Sequence, residues 1–286
     1  MKKIIYFFEY LLVSVLFTIF KIIGYKKSSN FGFVIGKIFG PIFRPISKIL
    51  KNLEKTKIPF EEKKYDIAKK VLGNYGRIFA EYPHLKNFRN KKLSKFINVE
   101  GKKYLESIIK EKKTAVFVSG HFNNFELMAM HIEMAGVDLA AIYRPLNNVF
   151  LNKTMEKIRT KYICKKQIKK GREGTRELLE YLKNGSSIAL MIDQRVREGS
   201  KVNFFGNLAT TTTIPAQLIK KYNCELVPIY IERYDDYYFR MFVSKPIKVN
   251  LDKSAEEITL FLNNVLEKMI LKNPSQWIWT HDRWKK

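Results

Sequence analysis

The rhythm of apolar and polar positions changes along this chain near residue 114. From there on, short apolar runs recur: TAVFVSG (114–120), DLAAIYRP (138–145), SSIALMID (186–193), ELVPIYIER (225–233) and YYFRMFVSKPI (237–247). Bounded by turn residues and rich in β-branched and aromatic side chains, they predict strands. Apolar residues spaced near 3.6 predict helices over 123–135, 148–161, 172–184, 215–222 and 254–272. Strands alternating with helices imply an α/β sheet with helices on its faces. Only Tyr234-Asp235-Asp236 separates the last two strands, so they predict an antiparallel hairpin and a mixed sheet. Upstream, residues 60–82 predict one more helix, and 86–93 read as a basic loop. Residues 28–46 are apolar but interrupted by Gly32, Gly36, Gly40, Pro41 and Pro45. They fit either a second membrane-facing element or a helix with loops.

The first apolar block is different in kind. IIYFFEYLLVSVLFTIFKIIG, residues 4–24, is long enough as a helix to cross a hydrocarbon core, but it carries Glu9 and Lys21. The uncharged stretch between them spans only about half that core. No small-residue cleavage site precedes Tyr25-Lys26-Lys27, which argues against a secretory signal. At about 100° per residue, Lys3, Tyr10, Ser14, Thr18, Lys21 and Tyr25 share a face. That pattern favours a helix lying partly in the membrane interface, or tilted with snorkelling lysines. The expected organisation is a membrane-anchoring helix over 1–27 and a single mixed-sheet α/β domain over 28–286.

Charge sharpens the choice of partner. Among 286 residues, 53 Lys+Arg face 27 Asp+Glu, a net charge of +26. Such a field draws anionic partners: nucleic acid, an anionic phospholipid membrane or an acidic carrier protein. The charge is spread along the chain and no nucleic-acid reading motif accompanies it, so no nucleic-acid partner is expected. Cys164 and Cys224 are too few for a disulfide framework and read as small core residues. No HExxH, Cys/His cluster, Walker or Rossmann motif occurs. Neither metal nor bound cofactor is expected.

Candidate chemistry lies in VFVSGHFNNFELMAM, residues 116–130, where a strand hands over to a helix. His121 and Glu126 are five apart, and in one continuous helix they point about 140° apart. With His121 in the turn and Glu126 in the first helical turn they meet. Asn123 as N-cap would then put Glu126 at the third helical position, where a glutamate also serves as a capping residue. Two alternatives follow: a helix cap beside a loop histidine, or a general base with its orienting carboxylate. The place, at the carboxyl end of a strand in an α/β sheet, is where ligands bind in such folds.

SGHFNNFELMA, IYRPLNN, KKGREGTRELLEYLKNGSSIALMIDQR, VNFFGNLATTTTIPAQL and the terminal PSQWIWTHDRWKK occur in this order. Together they resemble the late acyltransferases of lipid A biosynthesis, the lauroyl/myristoyl transferase family. That family lies within the wider H-x4-D/E glycerolipid acyltransferase group. The resemblance runs from about residue 110 to the end and loosely includes the N-terminal hydrophobic segment. It implies transfer of a fatty acyl chain from an acyl carrier protein or CoA thioester, as co-substrate, to a hydroxyl on a hydroxyacyl chain of a lipid A precursor, a glycolipid acceptor. It also implies a place on the cytoplasmic side of the bacterial inner membrane. His121 would deprotonate the hydroxyl while Glu126 holds and polarises His121. Arg144 would position a carboxylate or bind substrate phosphate, and Arg172 would lie on the substrate side. Phe204, Phe205 and Gly206 would line the acyl channel. Thr211 and Thr212, before a helix start, would suit a phosphate, and Asp193, at the end of a strand, would be a further supporting residue on the substrate side. His281 is expected to be structural, and Trp277, Trp279 and Trp284 suit an interfacial belt. A lysophospholipid or another glycolipid is the alternative acceptor. A degenerate structural membrane protein is the non-enzymatic alternative.

Overall fold

The computed structural model describes residues 2–285. Helices α1 (Lys2–Ile23), α2 (Tyr25–Phe43), α3 (Ile46–Lys55), α4 (Lys64–Glu81) and the short α5 (Leu85–Arg89) precede any strand. The α/β body follows with β1 (Ile97–Glu100), α6 (Lys102–Lys110), β2 (Ala115–Ser119), α7 (Glu126–Met134), β3 (Leu139–Tyr143) and α8 (Val149–Ile158). A π-turn, Arg159–Ile163, extends α8. Next come β4 (Lys166–Lys169), α9 (Arg172–Lys183), β5 (Ser187–Met191), β6 (Ser200–Phe204), β7 (Asn207–Thr211) and α10 (Ile214–Tyr222). Strands β8 (Glu225–Tyr234) and β9 (Tyr238–Val243) and helix α11 (Ala255–Lys272) complete it.

The main sheet has seven strands in the order β1-β9-β8-β2-β5-β3-β4. Every neighbouring pair is parallel except β8–β9. That hairpin turns through three residues, 235–237, with Asp235 and Asp236 both at positive φ. All five residues of β2 are buried, as a central parallel strand covered on both faces must be. The mixed sheet and the five strong strands thus match expectation. Strands β1 and β4, four residues each at the two edges, carry no apolar run that announces them.

Two stretches differ from expectation. Residues 28–46 are not broken by their glycines: α2 runs unbroken from Tyr25 to Phe43. Gly32 and Gly36 form a flat stripe against Gly73 and Gly76 of α4. A Cβ on Gly76 would lie 1.9 Å from the Gly32 carbonyl oxygen, and one on Gly36 would lie 2.3 Å from that of Leu72. Glycine here is a packing surface, and the close approach of backbones outweighs its poor helix propensity. The second difference is a separate hairpin, β6–β7, which turns through Phe205 and Gly206 at positive φ.

Helix α1 packs one side on the body. Phe17 and Phe20 are buried, Phe17 stacks on Tyr82 at 6.4 Å, and Phe7 meets Phe150 edge-on. Glu9, although exposed, also reaches the body. It accepts a hydrogen bond from Asn148, whose own side-chain oxygen caps α8. The opposite side presents Ile4, Ile5, Phe8, Leu12, Val15 and Ile22 to solvent. Helix α2 continues this outward with Phe31, Val34, Ile38, Phe39, Ile42 and Phe43.

Candidate active site

The loop between β2 and α7 carries His121. It is shaped by Asn123 at positive φ and held from two sides. Gln276 accepts from the Asn123 amide with its carbonyl and from the Asn123 side chain with Oε1. Asn124 donates to Glu81 at 3.0 Å. Glu81 is wholly buried, but Arg233 approaches both its oxygens, at 2.7 and 2.9 Å, so the charge is paired. Helix α7 begins at Glu126 itself, with Asn123 outside it, so the expected capping box is absent.

His121 and Glu126 do not pair. Nδ1 of His121 lies 2.7 Å from Oδ1 of Asp193, just beyond the end of β5. The backbone N–H of His121 donates to the other oxygen, Oδ2, also at 2.7 Å. The orienting carboxylate is therefore Asp193, 72 residues away in sequence. Glu126 is engaged elsewhere: Tyr82 donates to its Oε1 at 2.6 Å, and Arg159 does so through Nε at 3.0 Å and Nη2 at 2.8 Å. This corrects the expected contact. Glu126 is turned to Tyr82 and Arg159 through Oε1, while Asp193, just past the end of neighbouring β5, meets Nδ1.

Electrostatics follow the geometry. Burial alone pulls the His121 imidazole down, but the Asp193 carboxylate overcomes it and holds the ring above the ordinary histidine value. Burial pushes the fully buried Asp193 up, and its contacts with His121 and Trp277 more than reverse that. Burial likewise lowers Arg159, and the Glu126 carboxylate reverses the sign. Nη1 of Arg159 is buried with no hydrogen-bond partner. His121 keeps a fifth of its side chain exposed. With Nδ1 taken, Nε2 is the nitrogen free to meet a substrate.

That free nitrogen borders a cavity of about 750 Å³, within the range of about 300–1,000 Å³ usual for ligand sites. Its inner part is apolar. Phe117, Ala189 and Ala141 lie side by side across β2, β5 and β3. The two alanines leave a trough beneath Met128, Ala129 and Ile132 of α7, with Ile163 also lining it. Its rim is basic: Arg44, Lys48, Arg144, Lys169 and Lys170. Glu126 and Arg159 border it near His121.

The other expected residues divide between wall and scaffold. Arg144 and Thr212 line the cavity. Arg172 opens α9 on the exterior, outside the lining, although Gly171 before it belongs to the rim. Phe204, Phe205 and Gly206 are not channel walls. The two phenylalanines are buried against Trp277, Trp279 and Trp284, and Gly206 forms the hairpin turn. Thr211 is buried and tied to Arg283 and Asn263, with no face toward the cavity. The three tryptophans form core, not an interfacial belt. His281 borders the cavity, and its Nε2 accepts the backbone N–H of Arg195 at 2.9 Å. Sequence reasoning passed over Tyr82 and Arg159, which bind Glu126, and no local spacing marks either.

A histidine held by a carboxylate thus stands at the carboxyl ends of parallel strands, above an apolar trough, in an α/β fold. The chain belongs to the bacterial lipid A biosynthesis acyltransferase family, whose model matches residues 1–286. It is similar to the lipid A biosynthesis palmitoleoyltransferase of Escherichia coli K12, 26% identical over 200 residues, or 68% of this chain. The match spans 63% of that relative's own length. It is also similar to the lipid A biosynthesis lauroyltransferase of the same organism, 26% identical over 204 residues, covering 68% of this chain and 64% of the relative.

Proposed function

We propose that this protein is a membrane-seated O-acyltransferase that moves a fatty acyl chain from an acyl carrier protein or CoA thioester to a hydroxyl of a lipid A precursor. The observation that carries this reading is the His121–Asp193 pair, with Nε2 free, at the edge of an apolar trough. Nε2 takes the proton of the acceptor hydroxyl as its oxygen attacks the thioester carbonyl. The tetrahedral oxyanion collapses, the thiolate leaves, and the imidazolium returns the proton to it. Asp193 holds the ring in the tautomer that makes Nε2 the base and steadies the imidazolium. Arg159, clamped by Glu126 through Nε and Nη2, brings its unpartnered Nη1 to the same cavity as an oxyanion donor. Glu126 thus acts through Arg159 and not through His121. The trough takes the acyl chain, and the basic rim suits phosphate groups of donor or acceptor.

The outward apolar faces of α1 and α2 fit a monotopic seat on the cytoplasmic leaflet, where the excess positive charge also meets anionic headgroups. Arg44 directly follows the exposed Phe43, so the cavity opens beside that seat.

Acyl transfer tests the reading. Membranes carrying the wild type or His121→Ala are incubated with acyl carrier protein thioesters and a lipid A precursor, and products are weighed by mass spectrometry. The wild type should add one acyl chain. His121→Ala should be slower by at least about a hundredfold, the usual worth of a positioned general base. Transfer only to a lysophospholipid or another glycolipid would move the acceptor and keep the chemistry. A His121→Ala variant as active as wild type would remove His121 from the mechanism.

A further inference from the structure

Asp193 has no exposed surface, and an ionised carboxylate in such a place needs its oxygens filled by donors. One of those donors comes from the far end of the chain. The indole Nε1–H of Trp277 donates to Oδ2 of Asp193 at 2.9 Å, beside the backbone N–H of His121. Trp277 is itself 2% exposed. Its neighbours bind the same loop: Gln276 grips Asn123, and Phe122 forms a β-bridge with Trp277. Four residues on, His281 fixes the backbone just after Asp193 by accepting from Arg195. Residues 276–281 thus hold Asp193 and the loop that carries His121.

We propose that Trp277 is a positioning residue of the active site: its indole N–H holds Asp193 ionised, aims Oδ1 at His121, and thereby sets the basicity of Nε2. This rests on His121 acting as the general base. The sign follows from the carboxylate's charge. A donor on Oδ2 draws negative charge away from Oδ1. Without it, Asp193 stabilises the imidazolium more strongly, and the neutral, working form of His121 appears only at higher pH. Other charged or titratable groups also surround the pair. Glu126 and Arg159 act on His121 from α7 and the π-turn. Tyr75 on α4, and His281 and Arg283 near the chain's end, feel Asp193, and Lys48 on α3 acts on His281. A phenylalanine at 277 leaves all of these in place and keeps an aromatic ring against Phe204 and Trp279.

The test is the pH dependence of kcat/KM for wild type, Trp277→Phe, Trp279→Phe and His121→Ala, each checked for native circular dichroism. Trp279 is the matched control: it is fully buried in the same segment, but its indole donates to the carbonyl of Pro274 at 2.7 Å. Trp277→Phe should move the acid limb upward by about half a unit or more, roughly a threefold loss on the acid side, since one unit is tenfold. Trp279→Phe should leave the limb in place. A folded Trp277→Phe whose limb coincides with wild type, or moves no further than in Trp279→Phe, overturns the proposal while His121 stands. An undiminished His121→Ala overturns the base assignment and the proposal with it. Should Trp277→Phe fail to fold, wild-type protein made with 5-fluorotryptophan replaces it. Its more acidic N–H should move the limb downward, and an unmoved limb overturns the proposal.

Discussion

Asp193 shows how much one residue can hold. Its carboxylate receives Nδ1 of His121, the His121 amide and the Trp277 indole within a fully buried site. Asp193→Asn keeps the volume but reverses the preferred tautomer, since the amide nitrogen now donates where a carboxylate accepted. We expect acyl transfer to fall by more than about a hundredfold with little change in donor KM, measured as initial rates with a single thioester. On the proposed mechanism the imidazole works in its neutral form, and Asp193 raises its pKa, so activity should fall as pH drops through a value above the ordinary histidine value of about 6.5. Asp193 is depressed in the folded state. Its contribution to stability is therefore complete above the unfolded carboxylate value near 4 and is lost as pH falls through the lower folded value. The Tm gap between wild type and Asp193→Asn should accordingly narrow in strong acid. His121 was legible in the sequence because a histidine after Ser119-Gly120 at a strand end is conspicuous. Its true partner was not, because pairing depends on β2 and β5 lying side by side, and nothing local to either strand encodes that.

At the scale of elements, legibility followed burial. Central strands such as β2 and β5 are read from their apolar runs because both faces are covered. The edge strands β1 and β4 have sequences INVE and KQIK, which alternate with too few apolar positions to stand out. Helix α2 was obscured for the opposite reason. Its glycines look like breaks in isolation and become a contact surface only once α4 lies so close that a Cβ added at Gly32 or Gly36 would come within 2.4 or 2.3 Å of an α4 carbonyl oxygen. The trough under α7 depends on a similar economy of side chains, alanine at 141 and 189. Ala189→Phe should fill it. The expected outcome is a shift in the products, read by mass spectrometry across thioesters of graded length, toward shorter acyl chains with the protein still folded. An unchanged length preference would place the acyl chain elsewhere. Phe204 and Phe205 belong to another layer. They wedge the β6–β7 hairpin against the tryptophans, and their substitution should lower Tm without altering chain length.

The molecule as a whole has an oily side and a cationic surplus. Outward residues of α1 and α2 supply the first, and the charge of +26 supplies the second. Each apolar side chain removed from water contributes roughly 1.5–3 kcal/mol, and each lysine or arginine near an anionic surface adds about 1 kcal/mol. Binding to vesicles containing phosphatidylglycerol should therefore weaken in high salt without vanishing. Phe8→Ser with Leu12→Ser should abolish what salt leaves behind, as measured by co-sedimentation. Complete release of the wild type by salt alone would refute an embedded helix.

The inward side of α1 has a practical corollary for anyone wishing to handle this protein in water. Phe17 lies on Tyr82, which donates to Glu126, and Glu9 accepts from Asn148 at the head of the helix that leads to Arg159. Trimming the chain to begin at residue 25 would not yield a well-behaved soluble version. Such a truncate should have a lower Tm and be sluggish even with substrates dispersed in detergent, because the trimmed piece is a wall of the workshop and not merely its mooring.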